Sequence, residues 1–199
     1  MRKLIFLFFP ILLINNVEAI TYNSNPKIFV EELVNDAIKT LSNKDISVEE
    51  KRKKIKAIAL ENVDIAALGM YTLGDIRKSL DDVTLNTYNN LFEKYFLKSL
   101  TSRLADYSSN KFEVYDAEQK SSSYTIVQSK IVESINQPEI KIDWRVFTKD
   151  PLKPLIRDLI VEGLSLARTQ KEEFASILNS NNNDINALFS QLEAFISKD

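Results

Sequence analysis

Between Pro26 and Tyr107 the chain contains no proline, and its apolar residues recur at helical spacing. Phe29, Leu33, Ala37 and Leu41 fall on one stripe, and Phe92, Phe96, Leu100 and Leu104 on another. Side chains three or four positions apart share a helix face, so both stretches predict amphipathic helices. Between them Val48 to Leu60 predicts a helix with a Lys/Arg-rich face, and Val63 to Leu80 one or two short helices interrupted at Gly69 and Gly74. Thr84 to Tyr107 is the longest element, with Thr84 or Asp82 as its expected cap. Tyr88, Tyr95 and the Phe stripe give it an apolar surface broad enough to bury against a sheet.

From Lys111 onward the period changes to two. Ile140, Ile142, Trp144 and Val146 alternate with Glu139, Lys141, Asp143 and Arg145, the pattern of a half-buried antiparallel strand. Phe112 to Glu118, Ser123 to Ser134 and Leu155 to Glu162 are its expected neighbours. Polar turns at Gln119–Ser122, Asn136-Gln137-Pro138 and Lys149–Pro154 join them into a meander. Helices over Ser165 to Asn179 and Asp184 to Ser197 close the chain. The expected fold is α+β: N-terminal helices packed on a curved, mainly antiparallel four-stranded sheet, followed by C-terminal helices. The apolar face of such a sheet must be covered, and the upstream helices are the available cover.

Periodicity leaves two readings of that covered face open, a dry core and a ligand pocket. As pocket wall the candidates are Ile140, Ile142, Trp144 and Val146 on one strand, Leu159 and Val161 on the next, Val127 and Ile131 on the strand before, and Phe92 and Phe96 on the long helix.

Composition narrows the chemistry. The 199 residues are 44% hydrophobic and include no His and no Cys. That removes Ser-His-Asp and Cys-His nucleophiles, thiolate or imidazole zinc sites, haem and iron–sulfur ligation, and disulfides. With 26 basic against 28 acidic residues, the surface lacks the positive excess that nucleic-acid binding requires. Arg2 and Lys3 precede an apolar run from Leu4 to Ile14, and Val17-Glu18-Ala19 has small residues at the two cleavage positions, so residues 1–19 read as a secretory signal peptide. The alternative is an uncleaved anchor. Eleven residues at about 1.5 Å each span roughly half of a hydrocarbon core about 30 Å thick, which favours cleavage. Residues 20–199 then form one domain.

The segment Trp144-Arg145-Val146, followed by Leu155 to Leu166 and Thr169-Gln170-Lys171-Glu172-Glu173-Phe174, resembles the MlaC family of periplasmic phospholipid-binding proteins, also called the toluene-tolerance family. The shared pattern is a Trp-containing strand, an Asp-x-x-x-Glu-Gly-x-Ser corner, and a helix with Thr-x-Arg/Lys-x-x-Phe/Trp. Val63-Asp64-Ile65, Leu73-Gly74 and the aromatic helix Tyr88 to Tyr107 resemble the family's middle region, although many members carry Arg or Lys shortly before Leu-Gly. The resemblance implies a cone similar to the nuclear-transport-factor-like and cystatin-like folds, without catalysis or cofactor. It implies a monomeric carrier of glycerophospholipid, with acyl tails inside and head group in solvent. The implied partners are an inner-membrane ABC transporter with an MCE-domain (MlaD-like) subunit and an outer-membrane lipoprotein–porin (MlaA-like) complex, and the implied outcome is outer-membrane lipid asymmetry.

Individual residues carry two readings. Asp158 is either a catalytic carboxylate or a structural acceptor, the latter favoured because no base of matched pKa accompanies it. Gly163 is expected to supply a conformation closed to other residues, and Ser165 to cap the next helix. Lys51-Arg52-Lys53-Lys54 with Lys56 is a solvated face or a dock for an acidic partner or an anionic head group. Two rival functions remain: an isomerase or dehydratase using Tyr115, Tyr124 and Asp158, and a periplasmic adaptor with a filled core that binds only proteins.

Overall fold

The computed structural model describes residues 22–104, 111–132 and 139–198. The expected signal peptide at 1–19, the end of the long helix at 105–107, residues 133–134 of the second strand and the turn at 136–138 lie outside the described residues. The elements are α1 (Pro26–Ser42), α2 (Val48–Asn62), α3 (Ile65–Leu73), α4 (Asp82–Leu104), β1 (Lys111–Ser121), β2 (Tyr124–Val132), β3 (Ile140–Phe147), β4 (Leu155–Val161), β5 (Leu164–Ser165), α5 (Leu166–Ser180) and α6 (Ile185–Ser197). A 3-10 turn, Gly74–Lys78, separates α3 from α4.

Helix starts follow local chemistry. Asn25 caps α1 with Pro26 at its first position, Ser47 and Glu50 form a reciprocal capping box on α2, and Asp64 accepts the Ala67 amide at the start of α3. The cap of α4 is Asp81, whose Oδ1 accepts the Thr84 amide at 2.7 Å, rather than Thr84 or Asp82. A carboxylate one residue upstream reaches the third helical amide, the geometry an N-cap requires. That hydrogen bond, made first with the Thr84 amide, holds the exposed Asp81 carboxyl below its ordinary range.

The sheet is an antiparallel meander in the order β1-β2-β3-β4-β5. It has one strand more than the sequence predicts: the chain turns back at Glu162 and Gly163, and Leu164–Ser165 pairs with the end of β4. Gly163 has φ +82° with nothing near the place a Cβ would take, so glycine serves the backbone angle there and not the space. Register shifts in β1 and between Arg145 and Val146 of β3 bend the sheet around its apolar face.

Two apolar clusters fill the interior. One lies among α3, α4, α5 and α6 and includes Leu73, Tyr88, Phe92, Phe174, Leu178 and Leu188. The other joins α1 and α2 to the sheet through Phe29, Val30, Ile55, Val127, Trp144 and Val146. The long helix departs from expectation here. Its main neighbours are α3 and α6, because its ring stripe packs among Leu73 of α3, Phe174 of α5 and Leu188 and Leu192 of α6, and it faces the sheet across open space instead of packing on it. Among the described residues no helix is long and apolar enough to cross a membrane.

Candidate functional site

The space between α4 and the sheet is a cavity of about 420 Å³. Its walls come from the C-terminal half of α1 (Leu33, Val34, Ala37, Ile38, Leu41), from Ile55 and Ile58 of α2, and from Phe92, Tyr95, Phe96 and Leu100 of α4. The sheet contributes Phe112, Ile131, Ile142, Trp144, Ile156 and Leu159. The walls are carbon almost throughout, and the volume lies in the range of small-molecule sites, roughly 300–1,000 Å³.

Six of the ten expected wall residues face this space: Phe92, Phe96, Ile131, Ile142, Trp144 and Leu159. Val127 and Val146 do not. Both are fully buried in the α1-side cluster, because Phe29 and Val30 of α1 cover that end of the sheet. Ile140 and Val161 share the sheet face but pair at its far margin, opposite Ile131 and Ile142, outside the lining. The stripe of Leu33, Ala37 and Leu41 that predicts α1 does not by itself place these residues in a wall; the small Ala37 among larger neighbours is the available signal.

Fixed contacts at the margins hold the layers apart. Asp64 bridges α3 to β4: its carboxylate receives Arg157 Nε at 2.8 Å and Nη2 at 2.7 Å. Arg157 also donates to the Tyr124 hydroxyl at 3.1 Å and lies 3.4 Å from the centre of the Phe147 ring. Beside it the Asp64 amide donates to Ile156 O, and Val63 bridges to Ile156. At the other margin Asp158, buried to 4% exposure, accepts Ser165 Oγ at 2.6 Å and the Ala167 amide at 3.0 Å, with Arg145 at 3.4 Å. Asp158 therefore joins β4 to α5 as a structural acceptor, and Ser165 caps α5 by accepting the Arg168 amide.

The three residues considered for acid–base chemistry are not brought together. Tyr115 is exposed on β1, the Tyr124 hydroxyl accepts from Arg157, and the Asp158 carboxylate is occupied as above. Trp144 satisfies its own polar atom, donating Nε1 to Ser129 Oγ at 2.8 Å, which in turn donates to Ile142 O. Among the described residues no group of His, Cys, Asp and Glu side chains could hold a metal ion.

Apart from Thr72 and the engaged Arg157 and Asp158, the polar residues of the lining gather at one rim. Tyr95 donates its hydroxyl to Gln170 Oε1 at 2.8 Å, and Gln170 Nε2 donates to Glu173 Oε2 at 2.9 Å. Ser99, Arg103 and Thr169 complete that rim. Burial, and then the Glu173 carboxylate, push the Tyr95 hydroxyl above its ordinary pKa, while Arg103 works in the opposite direction.

A helical layer and an antiparallel sheet held apart by an apolar, polar-rimmed cavity define an α+β cavity protein. The chain belongs to the MlaC protein family, whose model matches residues 31–194. No curated protein matches the chain. A solved structure of a phospholipid-binding protein from Ralstonia solanacearum, in complex with a phospholipid, is similar in fold. Its TM-score is 0.70 at 17% identity, covering 84% of this chain and 94% of that one.

Proposed function

We propose that this chain is a periplasmic phospholipid carrier, and the observation that carries the reading is the apolar cavity of about 420 Å³ between α4 and the sheet. Water finds few hydrogen-bond partners along these walls, so an apolar occupant is the stable filling. Two acyl chains with roughly thirty methylenes, at about 0.8 kcal/mol each, would gain on the order of 20 kcal/mol on leaving water. A carrier that matches the hydrocarbon environment makes transfer across an aqueous space workable, and slow release into water favours exchange while docked. Family membership and the fold shared with a phospholipid complex support the same reading.

In this reading residues 1–19 are removed on export and residues 20–199 act as a soluble monomeric domain. It exchanges glycerophospholipid with the MlaD-like subunit of an inner-membrane ABC transporter complex and with an outer-membrane lipoprotein–porin (MlaA-like) complex, maintaining outer-membrane lipid asymmetry. It needs no cofactor and performs no catalysis. Phe92, Phe96, Ile131, Ile142, Trp144 and Leu159 contact the acyl chains; Val127 and Val146 back the wall from the core.

Protein recovered from a bacterial periplasm without detergent, extracted with organic solvent and analysed by mass spectrometry, is expected to yield near-stoichiometric glycerophospholipid. Ile142→Lys, which places a charge in the wall, is expected to abolish the lipid while circular dichroism stays native. A folded wild-type protein free of lipid would overturn the carrier reading in favour of an adaptor that binds only proteins.

A further inference from the structure

The carbon walls of the cavity are indifferent to what a lipid carries at its polar end, but its rim is not. The lining includes four charged residues, and two of them are already engaged: Arg157 with Asp64, and Asp158 with Ser165, the Ala167 amide and Arg145. The other two, Arg103 near the end of α4 and Glu173 on α5, are both exposed at the rim. Among the described residues no ion pair joins them to each other or to any other charge within 4.0 Å. Both line the same cavity as Tyr95, Thr169 and Gln170.

Glu173 is also oriented. The chain of donors from Tyr95 through Gln170 ends on its Oε2, which leaves Oε1 for a ligand. The α1 side of the cavity offers the reverse chemistry, with Val34, Ala37, Ile38 and Leu41 part-exposed and apolar. A lipid whose tails occupy the carbon walls therefore has at this rim a polar exit lined by one cation and one anion. The phosphodiester suits Arg103, whose planar guanidinium matches phosphate geometry. The next group outward along the head group then meets Glu173, which attracts an ammonium and gives a neutral glycerol no such gain.

We infer that Arg103 and Glu173 form a head-group site favouring a zwitterionic phosphate–ammonium lipid over an anionic one. The inference rests on the carrier reading and adds a selectivity that the apolar walls do not supply. Its size is that of an exposed ion pair, about three-fold in affinity, and it weakens as salt screens the two charges.

The test incubates the full chain, recovered from periplasm, with vesicles of equimolar phosphatidylethanolamine and phosphatidylglycerol of identical acyl chains, and measures bound lipid by mass spectrometry at low and high salt. Wild type is expected to carry about three times more phosphatidylethanolamine at low salt, falling towards parity at high salt. Glu173→Gln is expected to remove the preference and Glu173→Lys to invert it. Arg103→Gln is expected to shorten retention of both phospholipids. Bound lipid that mirrors the vesicles in wild type, or a ratio that Glu173→Lys leaves unmoved, overturns the head-group site while leaving the carrier reading intact. Absence of any bound lipid in wild type would overturn the carrier reading itself.

Discussion

Among α3, α4, α5 and α6 the rings of Phe92 and Phe174 meet edge to face at 6.3 Å, Tyr88 stacks on Phe92 at 5.8 Å, and Leu188 and Leu192 close the gaps. Across α4, where Phe96, Leu100, Ile142, Trp144 and Leu159 face one another, the same kinds of side chain enclose about 420 Å³ of space. Residue type does not distinguish these regions; anchoring does. The helical side is free to close until its rings touch. On the sheet side α1 is seated on Val127 and Val146, the Asp64–Arg157 bridge fixes α3 to β4, and Asp158 fixes α5. With α4 committed to α3 and α6, nothing draws it down onto the sheet. A pocket of this kind is a packing surface whose two halves are kept from meeting.

The contrast is broken most directly by truncation on each side. Phe174→Ala, in the filled region, is expected to cost about 3–5 kcal/mol, read as a lower midpoint in guanidinium unfolding. Ile142→Ala, which enlarges a space that already exists, is expected to cost about 1–2 kcal/mol, mostly its transfer free energy. Equal costs would mean that the cavity is packed as tightly as the helical core. Next in size is the anchor: Asp64→Ala leaves the half-buried Arg157 guanidinium without its carboxylate, an expected loss of about 1–3 kcal/mol. Small-angle scattering or fluorescence of Trp144 should report the altered cavity in that variant.

Gly69 sharpens the boundary between the regions. A Cβ there would meet Phe92 Cδ1 at 2.8 Å, so Gly69→Ala forces the ring to move. The expected outcome is a loss of about 1–3 kcal/mol together with less bound lipid, because the ring has open space only on the cavity side. An unchanged lipid-to-protein ratio would assign Phe92 wholly to the filled core. Ser165→Ala removes the α5 cap and one donor to Asp158, with an expected loss of about 1 kcal/mol in the same unfolding assay.

The smallest effect is a pH dependence. Burial pushes the Tyr88 hydroxyl well above its ordinary range even though Thr72 is hydrogen-bonded to it. A raised folded-state pKa means that the unfolded chain loses its proton first. The stability contributed by neutral Tyr88 is complete below about pH 10 and declines above it. Tyr88→Phe should flatten part of that alkaline decline in unfolding midpoints, and an identical slope in the variant would contradict the assignment.

The sequence made the helices and the main strands legible because one stripe or one alternation recurs in each: Phe29, Leu33 and Ala37 for α1, Ile142, Trp144 and Val146 for β3. Asp158, Gly163 and Ser165 were also readable, since a corner between strand and helix demands an acceptor, a positive φ and a cap in that order. What periodicity could not supply was the partner of each face. The stripe of α4 predicts burial but not burial against helices, and Val127 and Ile131, both on β2, have different fates because α1 covers only one of them. Arg103 and Glu173 carried no signal at all, since an exposed Arg and an exposed Glu on separate helices look like any solvated pair until the fold brings them to one rim.

In the proposed carrier, the space between α4 and the sheet, and not the α3–α6 core, receives the acyl chain. A phospholipid with a diazirine near the end of one acyl chain, loaded onto the protein from vesicles and photolysed, locates that chain by peptide mass spectrometry. Label is expected in α1, in α4 around Phe96 to Leu100, and in β3 at Ile142 or Trp144. Label concentrated on Phe174, Leu188 and Leu192, or spread over the exposed helix faces, would contradict it.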